Sequence, residues 1–217
     1  MTKEELIQEL IDGGYLKNNS LKSAFLNVDR KDFVLDEYQD VAYENIPLPI
    51  GYEQTISQPL TVAFMLELLE PKVGEKILEV GAGSGWQTAL LAYLVKDQNG
   101  ESGKVIAIER IPELKNLAFK NISKYKDLSS LIILLGGDGS LGFEPEAPFD
   151  KIIAGASADE VPEALKNQLK IGGRIVMPIK NSIVILDKLS NNEFKKREFF
   201  GFSFVPLISE EKENEEN

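Results

Sequence analysis

The chain has 217 residues, with 24 Lys plus Arg against 35 Asp plus Glu, and contains neither histidine nor cysteine. Those two absences exclude a disulfide framework, thiolate chemistry, Cys- or His-ligated metal and any imidazole triad, so no metal site is expected. The length suits one domain with its own core, and the net charge of −11 argues against nucleic acid or an anionic membrane as partner.

Thr2-Lys3-Glu4-Glu5 fits a capping box ahead of Leu6, Ile7, Leu10 and Ile11 on one helical face, with Gly13-Gly14 as the stop. Ser20 is placed to cap a second short helix with Leu21, Ala24, Phe25 and Val28 inward. Asp29 is placed to cap one further turn before Phe33 and Val34. The opening residues lack an apolar signal core, and the longest apolar run, Ala89–Val95, is too short to span a bilayer. A cytoplasmic protein is therefore the expectation. Residues Pro47–Pro59 (PLPIGYEQTISQP) show little periodicity and read as loop or short edge strand. A loop of that length inside a compact domain tends to carry function. Pro59 suits the first turn of a helix whose Val62, Ala63, Leu66 and Leu69 form one face.

From Pro71 the sequence alternates strand and helix. The spacing predicts strands at Lys76–Val80, Lys104–Ile108, Leu131–Leu135, Lys151–Ala154 and Arg174–Met177. Helices are expected at Trp86–Val95, Pro112–Ile122 and Val161–Leu169, with Gly172-Gly173 as a turn. Strands apolar throughout and separated by helices imply a parallel sheet buried on both faces. Ile183–Leu189 and Phe199–Val205 have only a polar turn between them, so the sheet is expected to end in an antiparallel pair. The basic cluster Lys195-Lys196-Arg197 falls in that turn and reads as solvated. The fold class is α/β: a central, mostly parallel sheet with helices on both faces and an N-terminal helical extension.

Glu79-Val80-Gly81-Ala82-Gly83-Ser84-Gly85 follows a strand and opens a helix, a setting in which glycines let the backbone approach a ligand. A dinucleotide fingerprint would place its last glycine at residue 86, which is Trp86. The E-x-G-x-G-x-G spacing instead resembles the first motif of S-adenosylmethionine-dependent methyltransferases with a Rossmann-like fold. Glu109 ends the next strand, where a carboxylate can accept both ribose hydroxyls. Asp138, in Gly136-Gly137-Asp138-Gly139, follows the third strand and is placed to accept from an adenine amino group. Each acid alone reads equally well as a helix cap or a solvated loop end. Their recurrence after successive strands favours a ligand, and acids suit a sulfonium cofactor better than a phosphate-bearing one.

The stretch Gln54-Thr55-Ile56-Ser57-Gln58-Pro59 is similar to the QTIS(Q/A)P signature of protein-L-isoaspartate O-methyltransferases. AYENIPLPIG, GDG, APFDKII, PEALKNQLKIGGRIVMPI and FSFVPLI resemble that family's other landmarks in its order, up to about Ile208. The resemblance implies an enzyme that moves a methyl group from S-adenosylmethionine to the α-carboxylate of L-isoaspartyl residues in peptides and proteins. Repair then proceeds through a succinimide. It implies Ser57 as the active-site serine, orienting the carboxylate rather than attacking covalently. It also implies cofactor contacts from Gln54, Thr55, Ile56, Ser57, Glu79, Gly81, Gly83, Gly85, Glu109, Arg110, Asp138 and Gly139. Substrate contacts would come from Thr55, Ile56, Ser57, Val205 and Pro206. Read from the residues alone, Ser57 could equally cap the helix starting at Pro59. Tyr43 and Tyr52 are candidates to border a peptide groove, and Trp86 reads as packing.

A single methyltransferase domain is expected over residues 1–208, with helices and substrate loop in 1–58 and Rossmann-like core and closing strands in 59–208. An acidic tail, five Glu against one Lys, follows in 209–217, and a monomer is expected. Glu53 stands where the family usually has a small residue, Ala154-Gly155 where it often has Val-Thr, and Ile179–Leu186 lacks an expected glutamine near Ser182. These departures leave two other readings open: a methyltransferase with a different acceptor, or a non-catalytic cofactor-binding relative.

Overall fold

A computed structural model describes residues 1–97 and 102–208; the expected acidic tail lies outside the described residues. Helix α1 (Lys3–Asp12) starts with the expected capping box: Thr2 Oγ1 accepts from the Glu5 amide at 3.2 Å, and the Glu5 carboxylate accepts from the Thr2 amide at 2.7 Å. Helix α2 (Asn19–Asn27) starts earlier than Ser20 would have it. Its cap is Asn18, whose side-chain oxygen accepts from the Ser20 amide at 2.7 Å. Asn caps as well as Ser does, and the earlier start still turns Leu21, Ala24 and Phe25 into the core. A 3-10 turn, Arg30–Phe33, is capped by Asp29 as expected.

The stretch read as loop or edge strand folds into a hairpin of β1 (Leu48–Gly51) and β2 (Gln54–Ile56). Tyr52 and Glu53 make its turn, with φ of 53° and 58°. Two left-handed central residues match the right-handed twist of hairpin strands, though neither is glycine. Helix α3 (Pro59–Leu69) follows, with Pro59 in its first turn.

The central sheet has seven strands in the order β5-β4-β3-β6-β7-β8-β9. They are β3 (Lys76–Val80), β4 (Lys104–Glu109), β5 (Ile132–Gly136), β6 (Phe149–Ala154), β7 (Leu169–Ile179), β8 (Ser182–Lys188) and β9 (Phe194–Phe200). Pairing is parallel from β5 through β7 and antiparallel for β8 and β9. Alternate side chains of each strand feed two cores. One includes Ile77, Val105, Ile153 and Val176, together with α1, α2, α3, α4 (Trp86–Val95), α5 (Pro112–Ile122) and α6 (Lys126–Ser129). The other, with Leu78, Ile106, Ile152 and Ile175, lies under α7 (Glu163–Gln168). The chain runs outward from β3 to β4 and β5, then returns to lay β6 on the other side of β3. That reversal opens a crevice at the carboxyl ends of β3 and β6.

The later elements differ from the expected ones for local reasons. Helix α7 excludes Val161, because the residue before Pro162 is pushed out of helical geometry. The expected turn at Gly172-Gly173 is a bulge inside β7: Phe149 pairs with Leu169, and the next pair is Lys151 with Arg174. A Cβ on Gly173 would lie 2.8 Å from the Asp150 carbonyl oxygen, so only glycine fits. Strand β9 covers Phe194–Phe200 rather than Phe199–Val205, and Lys195, Lys196 and Arg197 pair with β8 instead of forming a turn. An edge strand tolerates such charges on its open side, which is why a basic run does not mark a turn here.

Candidate active site

The carboxyl ends of β3, β4 and β6, the loop after β5, and the β1–β2 hairpin enclose a cleft of about 950 Å³, its open mouth included. It sits at the crevice the strand order creates, the place where such sheets bind ligands. The glycine loop forms its floor. Gly81, Gly83 and Gly85 have φ of 86°, 56° and 91°, and the first two line the cleft. Gly85 instead caps α4 and faces α5: a Cβ there would stand 3.0 Å from the Ile122 side chain. It serves helix packing rather than a ligand.

The three expected acids divide their work. Glu109 lines the cleft at the end of β4, and its two carboxylate oxygens accept from the Gly83 amide at 2.8 Å and the Ile111 amide at 2.9 Å. Each oxygen retains a second acceptor site. Glu79, by contrast, is fully buried behind the loop and does not line the cleft. Its carboxylate accepts from Thr88 Oγ1 at 2.5 Å and Gln87 Nε2 at 3.0 Å, tying β3 to the first turns of α4. Burial pushes this carboxyl up to about 7; the Thr88 and Gln87 hydrogen bonds oppose the rise and the charge of Glu109 adds to it. Asp138 behaves as a cap: Oδ1 accepts from the Ser140 amide at 2.8 Å, while its neighbours Gly137 and Gly139 line the cleft. Glu79, Gly85 and Asp138 are not among the residues that line the cleft.

The remaining expected residues converge. Gln54, Thr55, Ile56 and Ser57 line one wall, Arg110 another, and Val205 and Pro206 the mouth. Ser57 is half-buried, and it does not cap α3: the cap position belongs to Gln58, which makes no side-chain cap bond. The Ser57 hydroxyl has no partner among the described residues, so it is available to a ligand. Val205 and Pro206 reach the mouth as irregular chain, not as the end of a sheet strand. The Ser157 amide donates to the Val205 carbonyl at 2.8 Å, and the Leu207 amide donates to the Ser157 carbonyl at 2.7 Å. Strand β9 ends at Phe200, before Gly201 with its φ of 98°, and the later stretch makes an isolated parallel bridge between Pro206 and Ser157.

Sequence reasoning missed part of the lining. Ile50, Ala156, Leu207 and Ile208 border the cleft, and Trp86, read as packing more than ligand contact, both borders it and packs edge-on against Phe25 at 5.5 Å. Tyr43 and Tyr52 do not line it. The Tyr43 hydroxyl donates to Asp29, and Tyr52 sits exposed at the hairpin tip.

The sequence profile of the protein-L-isoaspartate (D-aspartate) O-methyltransferases matches residues 1–212. The chain belongs to that family. It is 44% identical over 213 residues to the protein-L-isoaspartate O-methyltransferase of Methanopyrus kandleri, covering 96% of this chain and 92% of that one. The Ignicoccus hospitalis protein of the same name is 44% identical over 215 residues, covering 96% and 98%. Among solved structures, a Plasmodium falciparum chain assigned to this family, in complex with S-adenosyl-L-homocysteine, superposes with a TM-score of 0.85 at 26% identity, covering 96% of this chain and 99% of that one.

Two of the three departures from the isoaspartyl methyltransferase pattern fall away from the cleft. Glu53 is exposed at the hairpin turn and Ser182 is buried between β7 and β9; neither lines the site. Gly155 does line it, and its amide donates to the Val80 carbonyl at 2.9 Å, drawing the end of β6 against β3.

Proposed function

We propose that Ser57 and the hairpin it follows hold the α-carboxylate of an L-isoaspartyl residue at the mouth of the cleft, in line for methylation. The observation that carries this is that Ser57, whose hydroxyl has no partner among the described residues, lines the same cleft as Gly81, Gly83 and Glu109. The chain is an S-adenosylmethionine-dependent methyltransferase of the protein-L-isoaspartate family.

The donor set fits that cofactor. Gly81 and Gly83 leave the loop free of side chains there, and Glu109 offers acceptors suited to ribose hydroxyls. When bound, S-adenosylmethionine supplies a methyl group on a sulfonium centre. The acceptor carboxylate is ionised at neutral pH, so no residue has to act as base, and a chain without histidine loses nothing. The work left to the protein is orientation: the Ser57 hydroxyl donates to the carboxylate, and the wall from Gln54 to Ile56 fixes the peptide beside it. Val205–Ile208, Ile50 and Trp86 narrow the cleft and limit water, which favours a step in which opposite charges cancel. The methyl ester then collapses to a succinimide: the neighbouring peptide nitrogen attacks the ester carbonyl and loses its proton, and the C–O bond breaks to release methanol.

A location in the cytoplasm, a monomeric state and the lack of a nucleic-acid partner belong to the same reading, and the charge of −11 supports the last of these. Among the described residues no helix is long and apolar enough to cross a membrane. Ser57→Ala tests the proposal. Losing one hydrogen bond to a charged group costs about 1.5–3 kcal/mol, so kcat/KM for an isoaspartyl peptide should fall on the order of 10- to 100-fold. Affinity for S-adenosylhomocysteine should stay within about threefold, and an equal loss of that affinity would make Ser57 a cofactor residue instead.

A further inference from the structure

Arg30 and Lys188 are both buried basic residues whose donors go to main-chain carbonyls, and of the two, Arg30 bonds a residue of the cleft lining, Ser57. Arg30 lies in the 3-10 turn after α2, is 2% exposed, and has no carboxylate partner among the described residues. Its guanidinium is instead spent on main-chain carbonyls. Nη1 donates to Ala42 at 2.7 Å and Glu44 at 3.2 Å; Nη2 donates to Ile46 at 2.9 Å and Ser57 at 3.2 Å. The guanidinium carbon stands 5.4 Å from the centre of the Trp86 ring. Its Nε is the one buried side-chain nitrogen or oxygen without a partner among the described residues.

Burying an unpaired cation is costly, and helical or sheet structure nearby does not require it. Burial pulls the Arg30 pKa down to about 9, which leaves it charged at neutral pH. What the guanidinium joins explains its presence. Ala42–Ile46 leads into the hairpin, Ser57 ends it, and Trp86 is the first residue of α4 after the glycine loop. One planar fork therefore fastens both ends of the hairpin segment and rests against the wall of the cofactor cleft. Lysine has only three donors on a flexible stem and cannot reproduce that geometry.

We infer that Arg30 is a positioning residue for methyl transfer: it holds the Ser57 backbone at a fixed separation from the Trp86 side of the cleft and so sets where the acceptor carboxylate sits. The inference rests on the functional reading above. It requires that the rate, rather than cofactor binding, depend on the fork.

The test is Arg30→Lys, with Arg30→Met beside it, each compared with wild type for kcat and KM on an isoaspartyl peptide. S-adenosylhomocysteine affinity and cooperative unfolding are measured on the same samples. Lysine retains the charge and the aliphatic stem, so the variant is the one expected to fold. In Arg30→Lys, kcat per folded molecule should fall on the order of 10- to 100-fold, the scale of a misplaced reacting group, with S-adenosylhomocysteine affinity within about threefold. Arg30→Met should fall at least as far wherever it folds. A kcat for Arg30→Lys within about threefold of wild type would overturn the inference, whatever the change in stability. So would a parallel loss of S-adenosylhomocysteine affinity, which would place the effect on the cofactor cleft. A wild type that leaves the peptide unlabelled overturns the functional reading, and this inference with it.

Discussion

Replacing Glu79 by glutamine tests the assignment of that residue as a buried strut. The carboxyl is fully buried and ionises near pH 7 in the folded protein, against an ordinary value of 4.5. Between those values the folded chain holds a proton that the unfolded chain has released, so stability falls as pH rises through the window and levels above it. The whole difference corresponds to about 3 kcal/mol, of which about 2 kcal/mol lies between pH 5.5 and pH 8. Glutamine keeps an oxygen for Gln87 and can donate its amide hydrogen to the Thr88 hydroxyl, so the contacts survive while the titration disappears. The assay is urea unfolding of both proteins at several pH values, read as the difference between them. That difference cancels every other titrating group. The variant should gain on the wild type by about 2 kcal/mol from pH 5.5 to pH 8. A difference independent of pH would refute the reasoning, because the Glu79 carboxyl would then ionise alike in both states.

Three further outcomes follow from other parts of the structure. Glu53→Gly relieves a left-handed residue at the hairpin turn and should raise stability by about 1 kcal/mol in urea unfolding, with KM for peptide unchanged since Glu53 faces away from the cleft. Glu109→Gln removes acceptor sites at the end of β4 and should weaken S-adenosylhomocysteine binding at least about tenfold by titration calorimetry. Gly85→Ala puts a Cβ 3.0 Å from Ile122 at a φ of 91°, and should destabilise by about 1–2 kcal/mol in urea unfolding.

The sheet core was legible because its signals are local. KILEV and WQTALLAYLV begin and end where the apolar run meets a charge or a glycine, and β3 and α4 have the same bounds. The edge strand β9 was not, because a strand open on one side carries no hydrophobic alternation strong enough to set its register: the basic run Lys195-Lys196-Arg197 reads as turn until β8 is beside it. In the site, the hairpin and the glycine loop were readable as motifs, yet the motif could not tell a residue that faces the cleft from one that supports it. Glu79 pairs with Ala107, one residue before β3 ends, whereas Glu109 ends β4 two residues further along the same face, and that difference in depth separates their roles. Arg30 left no signal at all. Its partners are backbone carbonyls 12 to 27 residues away, which no side-chain pattern encodes.

The central claim is that this cleft methylates an isoaspartyl α-carboxylate. The most direct measurement is transfer of labelled methyl from S-adenosylmethionine to an isoaspartyl peptide and to its aspartyl twin, run side by side. Label on the isoaspartyl peptide alone, abolished by excess S-adenosylhomocysteine, is the expected result. Equal labelling of both peptides, or none from a protein that binds S-adenosylhomocysteine, would contradict it.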